Sequence, residues 1–305
     1  MEERRLSQAL NDWLVDFKRK TVKPSTYDRL RVSLGLTMKY RIADMRVCEI
    51  GTKNLQEYLN KLSDDGYAVN TIKKQYTLLT AYFKYALSQG DIITPMYLSV
   101  SLPVNHEDDG EVKTYSEIEQ SRLKNVFERL DHPAYGILLL MLECGLRVGE
   151  AQALMWKDVD WRRKAITIRR TYVRLSDAGG VKFLQESTKS RTSTRTIPLS
   201  TTMYEVLRRT SESADLSGLV FGEESDKPFT YEAVRYYLRQ ACRETGVEYK
   251  STHALRHTFA TNCYYKGCDV KILSKLLGHA KVSITYDIYI HLYGDALDEM
   301  RKVIG

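Results

Sequence analysis

Toward the end of the chain stand His253-Ala254-Leu255-Arg256-His257, then Leu277-Gly278-His279, then Tyr286-Asp287-Ile288-Tyr289-Ile290-His291. These residue types suit work on a phosphodiester. A phenol can attack phosphorus, a guanidinium can grip two non-bridging oxygens at once, and imidazoles can donate or shuttle protons near neutral pH. Nothing in the set demands a metal. Two upstream segments supply further groups: Gly145-Leu146-Arg147-Val148-Gly149-Glu150, and Thr188-Lys189-Ser190 ahead of Arg195-Thr196-Ile197-Pro198-Leu199.

Taken in chain order, Arg147, Lys189, His253, Arg256, His279 and Tyr289 resemble the complete active-site set of the tyrosine recombinases, the phage integrase family. A lone G-L-R turn or a lysine ahead of a strand is weak evidence. The resemblance rests on all the matches occurring together, in order and at family-like separations. It implies that Tyr289 is the nucleophile, forming a reversible phosphodiester that conserves the energy of the broken DNA linkage. Arg147 and Arg256 would converge on one phosphate and stabilise the extra negative charge of its pentacoordinate transition state. Lys189, on a β-hairpin, would protonate the departing 5′-oxygen. His253 would move the proton of the nucleophile, and His279 would hydrogen-bond the scissile phosphate. Glu150 resembles the acid that orients Arg147, His257 reads as a structural buttress, and Arg191 and Arg195 as contacts to backbone phosphate.

Three rivals compete with these assignments. Tyr286 lies three residues before Tyr289 on roughly the same helical face. In the family the nucleophile follows the L-G-H histidine by nine or ten positions and commonly precedes a histidine by two; Tyr289 lies ten after His279 and two before His291, whereas Tyr286 lies seven after. Lys182 is the alternative to Lys189 and reads as a solvated strand charge. His253 and His257 form an H-x3-H pair that could hold zinc with Cys263 or His279. A zinc hydrolase wants a carboxylate base close by, as in H-E-x-x-H, and Ala254 and Leu255 stand in the intervening positions.

These groups need a scaffold, and 305 residues suffice for two domains. With 43% hydrophobic and 28% charged residues there is material for buried cores and no sign of wholesale disorder. A net charge of +7 favours a polyanionic partner. The five cysteines form no C-x-x-C pair and are odd in number, which fits reduced thiols in a cytosolic protein. No run approaches the roughly 20 apolar residues that cross a bilayer, and no apolar segment follows the start as in a secretion signal.

The first hundred residues carry helical periodicity. Leu6, Leu10, Trp13, Leu14 and Phe17 mark one helix; a second begins after Pro24 with Ser25 as N-cap; a third after Gly51 carries Leu55, Tyr58, Leu59 and Leu62; a fourth runs from Val69 to Ser88 and ends near Gly90. Lys73, Lys74, Lys84 and Arg29 lie elsewhere on these helices. Residues 103–113 are polar, acidic and without periodicity, and read as an exposed linker that lets two domains close around a duplex. Ser116-x-x-Glu119 is a capping box that opens the second domain, and an apolar helix stops at Gly145. Segments at 165–169, 171–173, 181–184 and 195–199 are β-prone and predict a small antiparallel three-stranded sheet. Helices resume near Thr201, Thr230, Thr252, Asp269 and Val282.

The expected fold is therefore mainly α with a small antiparallel β-sheet. The resemblance implies an N-terminal four-helix, SAM-like core-binding domain over residues 1–102, the linker over 103–113, and a mixed α/β tyrosine-recombinase catalytic domain over 114–305. Leu292, Ala296, Leu297, Met300 and Val303 suggest a C-terminal helix whose apolar face docks on its own chain or on a neighbour. No arm-binding domain is expected ahead of the helical module.

The implied function is site-specific recombination. Double-stranded DNA is cut and rejoined through a 3′-phosphotyrosyl intermediate and a Holliday junction, for integration, excision or resolution, by a homotetramer on paired sites. No cofactor and no membrane enter, a directionality factor is an optional partner, and the place of action is the cytoplasm, at the nucleoid. Type IB topoisomerase-like relaxation would use nearly the same groups, and a catalytically silent DNA-binding protein is the reading from another class.

Overall fold

The computed structural model describes residues 3–103, 113–174, 182–186, 194–279, 281–283 and 285–286, with backbone alone at 96, 98, 174 and 182–186. The described residues fall into two compact units, residues 3–103 together with Arg174 in the first and the remainder from residue 113 onward in the second.

The first unit is helical. Helix α1 (Leu6–Asp12) continues through a π-helical stretch, Trp13–Lys18, into α2 (Arg19–Thr21), and is followed by α3 (Pro24–Thr37), α4 (Thr52–Asp64) and α5 (Val69–Gln89). Leu6, Leu10, Trp13 and Leu14 are buried with Leu55, Tyr58, Leu59, Leu62, Ile72, Leu79 and Phe83 in one core. Phe17 departs from the sequence pattern, being 40% exposed. The extra residue per turn of a π-helix rotates it off the α-helical stripe, and its ring rests on Tyr85 at 4.9 Å. Helix α3 starts two residues earlier than Ser25 would cap it, with Lys23 as N-cap, because Pro24 occupies N1, where its fixed φ and missing N–H suit a first turn. Gly90 ends α5 in the left-handed region, at φ +79°. Lys73, Lys74, Lys84 and Arg29 are exposed.

The second unit is built around α7 (Pro133–Cys144), which is apolar on every face and buried from Ala134 to Leu142. Around it lie α6 (Glu117–Arg129), α8 (Val148–Gln152), α9 (Thr201–Ser211), α10 (Tyr231–Thr245), α11 (Thr252–Tyr265) and α12 (Val270–Leu277). The capping box forms: Ser116 Oγ accepts from the Glu119 amide at 3.3 Å, and the Ser116 amide donates to Glu119 at 2.7 Å.

The β-structure differs in detail from the pattern read in the sequence. A three-stranded antiparallel sheet forms from β1 (Val159–Asp160), β2 (Ala165–Ile168) and β5 (Arg195–Pro198), with Ile166 opposite both Val159 and Ile197. The β-prone segments at 171 and 182 form β3 (Arg170–Arg174) and β4 (Lys182–Glu186), which pair with each other as a separate sheet. The separation falls at Arg169, where the Arg170 and Arg169 guanidinium groups both turn to Asp158, whose side chain is 2% exposed. Burial of a carboxylate requires such partners, so the chain leaves β2 there. Among the described residues no helix is long and apolar enough to cross a membrane, and the five cysteines are free.

Candidate active site

The site begins at the C-terminus of α7. Gly145 closes the helix at φ +64°, and a Cβ there would lie 2.3 Å from the Phe259 ring of α11. Both facts exclude a side chain. Leu146, fully buried, then carries the chain to Arg147, the N-cap of α8. Gly149 lets α8 sit against β3, since a Cβ would stand 2.6 Å from the Tyr172 carbonyl. Gly145→Ala should lower the stability of this unit by about 1–2 kcal/mol for the left-handed backbone and a further ~1–3 kcal/mol for the crowded ring. Urea unfolding measures it, and a change of no more than about 1–2 kcal/mol, the backbone cost alone, would mean Phe259 moves aside at no cost.

Glu150, 7% exposed, is the centre of the site. It accepts from the Arg147 amide at 2.9 Å and from Arg147 Nη1 at 3.0 Å. Arg195 grips it bidentately at 2.9 and 2.7 Å, and Arg256 Nη1 lies 3.8 Å away. Burial alone would raise the pKa of this carboxyl, but the Arg195 hydrogen bonds, the charges of Arg195 and Arg147 and the Arg147 amide outweigh it and bring it down to about 2. Three guanidinium groups around one carboxylate leave a surplus of positive charge, which a phosphate can neutralise.

The end of α12 holds the same three arginines. Its last carbonyls have no partner within the helix and carry the negative end of the helix dipole. Leu276 O accepts from Arg195 Nε at 2.5 Å, Leu277 O from Arg256 Nη2 at 2.6 Å, and Gly278 O from Arg147 Nη2 at 3.2 Å. Arg256 Nη1 also donates to Gly145 O at 2.7 Å, tying the α7 turn to α11. Gly278 is left-handed at φ +65°, and a Cβ there would press on Arg195 Nη1 at 2.9 Å.

That turn delivers His279. Its Nε2 lies 3.0 Å from Arg256 Nη2, and its Nδ1 lies 2.8 Å from Thr285 Oγ1. Burial, then the charges of Arg256 and Arg147, push its pKa down to about 4. His253 keeps its ring open to solvent one turn before Arg256, yet the surrounding protein and then the Arg256 and Arg147 charges lower its pKa as well. His257 lies behind it, ring centroids 5.8 Å apart, and burial followed by the His253 and Arg256 charges pushes it down to about 4. These imidazoles are neutral near pH 7.

Of the residues named from the sequence, Arg256 and His279 meet directly, Arg147 joins them through Glu150 and the Gly278 carbonyl, and His253 lies within electrostatic reach of both arginines. Lys189 and Tyr289 lie outside the described residues, as do Arg191, the side chain of Lys182 and the C-terminal segment from Leu292 to Val303. Tyr286 is 44% exposed. Among the described residues no group of three or more His, Cys, Asp or Glu side chains gathers in a metal-binding cluster.

Arg195 corrects the sequence reading. It is no surface contact to DNA backbone, because its side chain is 7% exposed and its guanidinium is fully engaged by Glu150 and Leu276. A period-two reading of β5 carries the signal: Ile197 is buried while Thr196 and Pro198 are exposed, and Arg195 shares the Ile197 face. Thr285 also escaped notice, since a single threonine six residues after a histidine has no pattern of its own.

The profile of the phage integrase family matches residues 106–295. A XerC-like tyrosine recombinase of Caldanaerobacter subterraneus is 27% identical, over 94% of this chain and 79% of the relative. In fold, the chain is similar to the Tn1549 transposon integrase solved in complex with transposon right end DNA, with TM-score 0.83 and 18% identity over 99% of this chain and 100% of that one. It is also similar to the lambda integrase solved as a tetramer bound to a Holliday junction, with TM-score 0.68 and 19% identity over 94% of this chain and 77% of that one. A chain matched over more than half its length by this profile, and carrying an arginine pair held over a buried acid beside the L-G-H histidine, belongs to the phage integrase family of tyrosine recombinases.

Proposed function

We propose that the protein is a site-specific DNA recombinase whose substrate is double-stranded DNA and whose working form is a homotetramer on two paired sites. The observation that carries the reading is the convergence of Arg147 and Arg256 over Glu150 and the end of α12, with His279 on Arg256. Preorganised guanidinium groups in a site with excess positive charge favour the pentacoordinate phosphate over its ground state.

In this reading the Tyr289 phenol attacks the scissile phosphorus and displaces the 5′-oxygen, which Lys189 protonates. The product is a 3′-phosphotyrosyl bond and a free 5′-hydroxyl. His253, neutral and open to solvent, takes the phenol proton, and His279 holds a non-bridging oxygen. The 5′-hydroxyl of the partner strand then attacks the phosphotyrosine and releases the phenol. A first exchange yields a Holliday junction and a second resolves it. The phosphotyrosine stores the bond energy, so neither nucleotide nor divalent metal is consumed. Residues 1–102 serve as the core-binding domain, residues 103–113 as the joint, and residues 114–305 as the catalytic domain. The place of action is the cytoplasm, at the nucleoid.

Nicked suicide duplexes tiled across the DNA bordering the gene test this reading. The wild-type chain is expected to form a covalent adduct on at least one of them, with or without a chelator, and Tyr289→Phe to form none. An adduct in Tyr289→Phe would reassign the nucleophile, first to Tyr286. Relaxation of a supercoiled plasmid without strand exchange would favour a topoisomerase, and binding without any adduct would favour a silent DNA-binding protein.

A further inference from the structure

His279 holds two hydrogen bonds whose directions can be assigned. An arginine has only donors to offer, so at 3.0 Å from Arg256 Nη2 the His279 Nε2 accepts. The ring is neutral near pH 7, its pKa held at about 4 by burial and by the neighbouring arginines. A neutral imidazole carries one N–H, and with Nε2 accepting, that hydrogen stands on Nδ1. Nδ1 therefore donates to Thr285 Oγ1 at 2.8 Å. Thr285 is 0% exposed, so this hydroxyl faces His279 inside the protein rather than water. In this resting tautomer Nε2 has no hydrogen to give a phosphate oxygen.

We propose that Thr285 is a positioning residue that partners Nδ1 of His279 in each of its two tautomers. Its hydroxyl accepts from Nδ1–H while Nε2 is held by Arg256, and rotates to donate to Nδ1 when the scissile phosphate requires Nε2–H. The proton balance closes with solvent water that reaches the ring while the Arg256 bond is released and the hydroxyl rotates: Nε2 gains one proton, Nδ1 loses one, and the ring stays neutral with one N–H. A hydroxyl serves both states because it is donor and acceptor at once; a carboxylate would hold the resting tautomer, and a methyl group would leave a buried Nδ1–H without an acceptor and so weaken it. Phosphate arrival also gives Arg256 Nη2 a new acceptor in place of Nε2, so releasing the resting bond strands no donor. The inference rests on the proposed contact of His279 with the scissile phosphate.

The test uses the full chain labelled with ¹⁵N-histidine, the His279 signals being assigned by their loss in His279→Gln. The DNA-free wild type is expected to show the Nδ1–H tautomer. Thr285→Ser should keep that signature and cleave a suicide duplex within about twofold of wild type. Thr285→Val, similar in shape and lacking the hydroxyl, should shift toward Nε2–H and cleave about tenfold more slowly, the worth of one hydrogen bond at the transition state. An Nε2–H tautomer in the wild type overturns the proposal, and so does Thr285→Val matching wild type in tautomer and rate. Should Thr285→Val fail to fold, Thr285→Ala, which also lacks the hydroxyl, is read in its place with the same outcomes. Absence of adduct in the wild type on every duplex would sink the recombinase reading instead, leaving the DNA-free tautomer as a separate result.

Discussion

Arg195→Leu should cost the catalytic unit about 3–5 kcal/mol at neutral pH, the usual penalty for stripping one partner from a buried ion pair. The size follows from where Glu150 stands. Its side chain is 9% exposed, and Arg195 supplies two of its hydrogen bonds at 2.9 and 2.7 Å. Arg147 stays behind as a second partner, with a side chain 38% exposed and therefore partly screened. Arg195 also caps Leu276 O, and Gly278 packs on its guanidinium, so its loss loosens the turn that carries His279.

The penalty has a pH signature. The Glu150 pKa in the folded protein is depressed to about 2, against roughly 4.3 for an unperturbed glutamate. A depressed carboxylate stabilises the fold fully above the unfolded value, and that stabilisation is lost as pH falls toward the folded one. The linkage amounts to about 3 kcal/mol above pH 5 and less than half of that at pH 3. Urea unfolding of wild type and Arg195→Leu at pH 7 and pH 3 should therefore show a gap that narrows on acidification. A gap of constant size would mean that Arg195 acts by packing alone.

Much of this site was legible in the sequence because its chemistry is written in short motifs. Arg256 and His253 fall three apart on one helix, and His279 follows a glycine that ends another, but it is the resemblance of these motifs to the tyrosine recombinases that singles the residues out. The apolar run from Ile137 to Leu142 and the stop at Gly145 read directly as a buried helix and its C-cap. The organisation around Glu150 was less accessible. Its partners come from positions 147, 195 and 256 and from carbonyls at 276 to 278, and no local pattern tells a strand arginine that it faces inward onto an acid rather than outward onto DNA. The sheet illustrates the same limit. β-propensity found the strands at 165 and 195 but missed the two-residue β1, which is too short to have a period, and joined β3 to the wrong sheet because pairing is decided by tertiary contacts.

Lysine substitutions at the two arginines should separate catalysis from stability. Each keeps the positive charge and loses the planar fork, so each tests geometry at constant charge. At Arg147 the side chain is 38% exposed and its partners are Glu150 and one carbonyl. Arg147→Lys is expected to change stability by less than about 0.5–1 kcal/mol while adduct formation falls about 10²–10³-fold, as when one preorganised transition-state donor is removed. At Arg256 the side chain is 4% exposed and bridges Gly145 O and Leu277 O while also holding His279. A single ammonium cannot reproduce that fork, and the buried acceptor left without a donor costs about 1–3 kcal/mol. Arg256→Lys should therefore lose stability and cleavage together, with the catalytic loss at least as large as at Arg147. Single-turnover adduct formation beside urea unfolding of each variant measures both axes. Should Arg147→Lys cleave within tenfold of wild type, its guanidinium would not be gripping the phosphate. Equal stability losses at the two positions would refute the division between an open arginine that serves the substrate and a buried one that also holds the α7 turn, α11 and the end of α12 together.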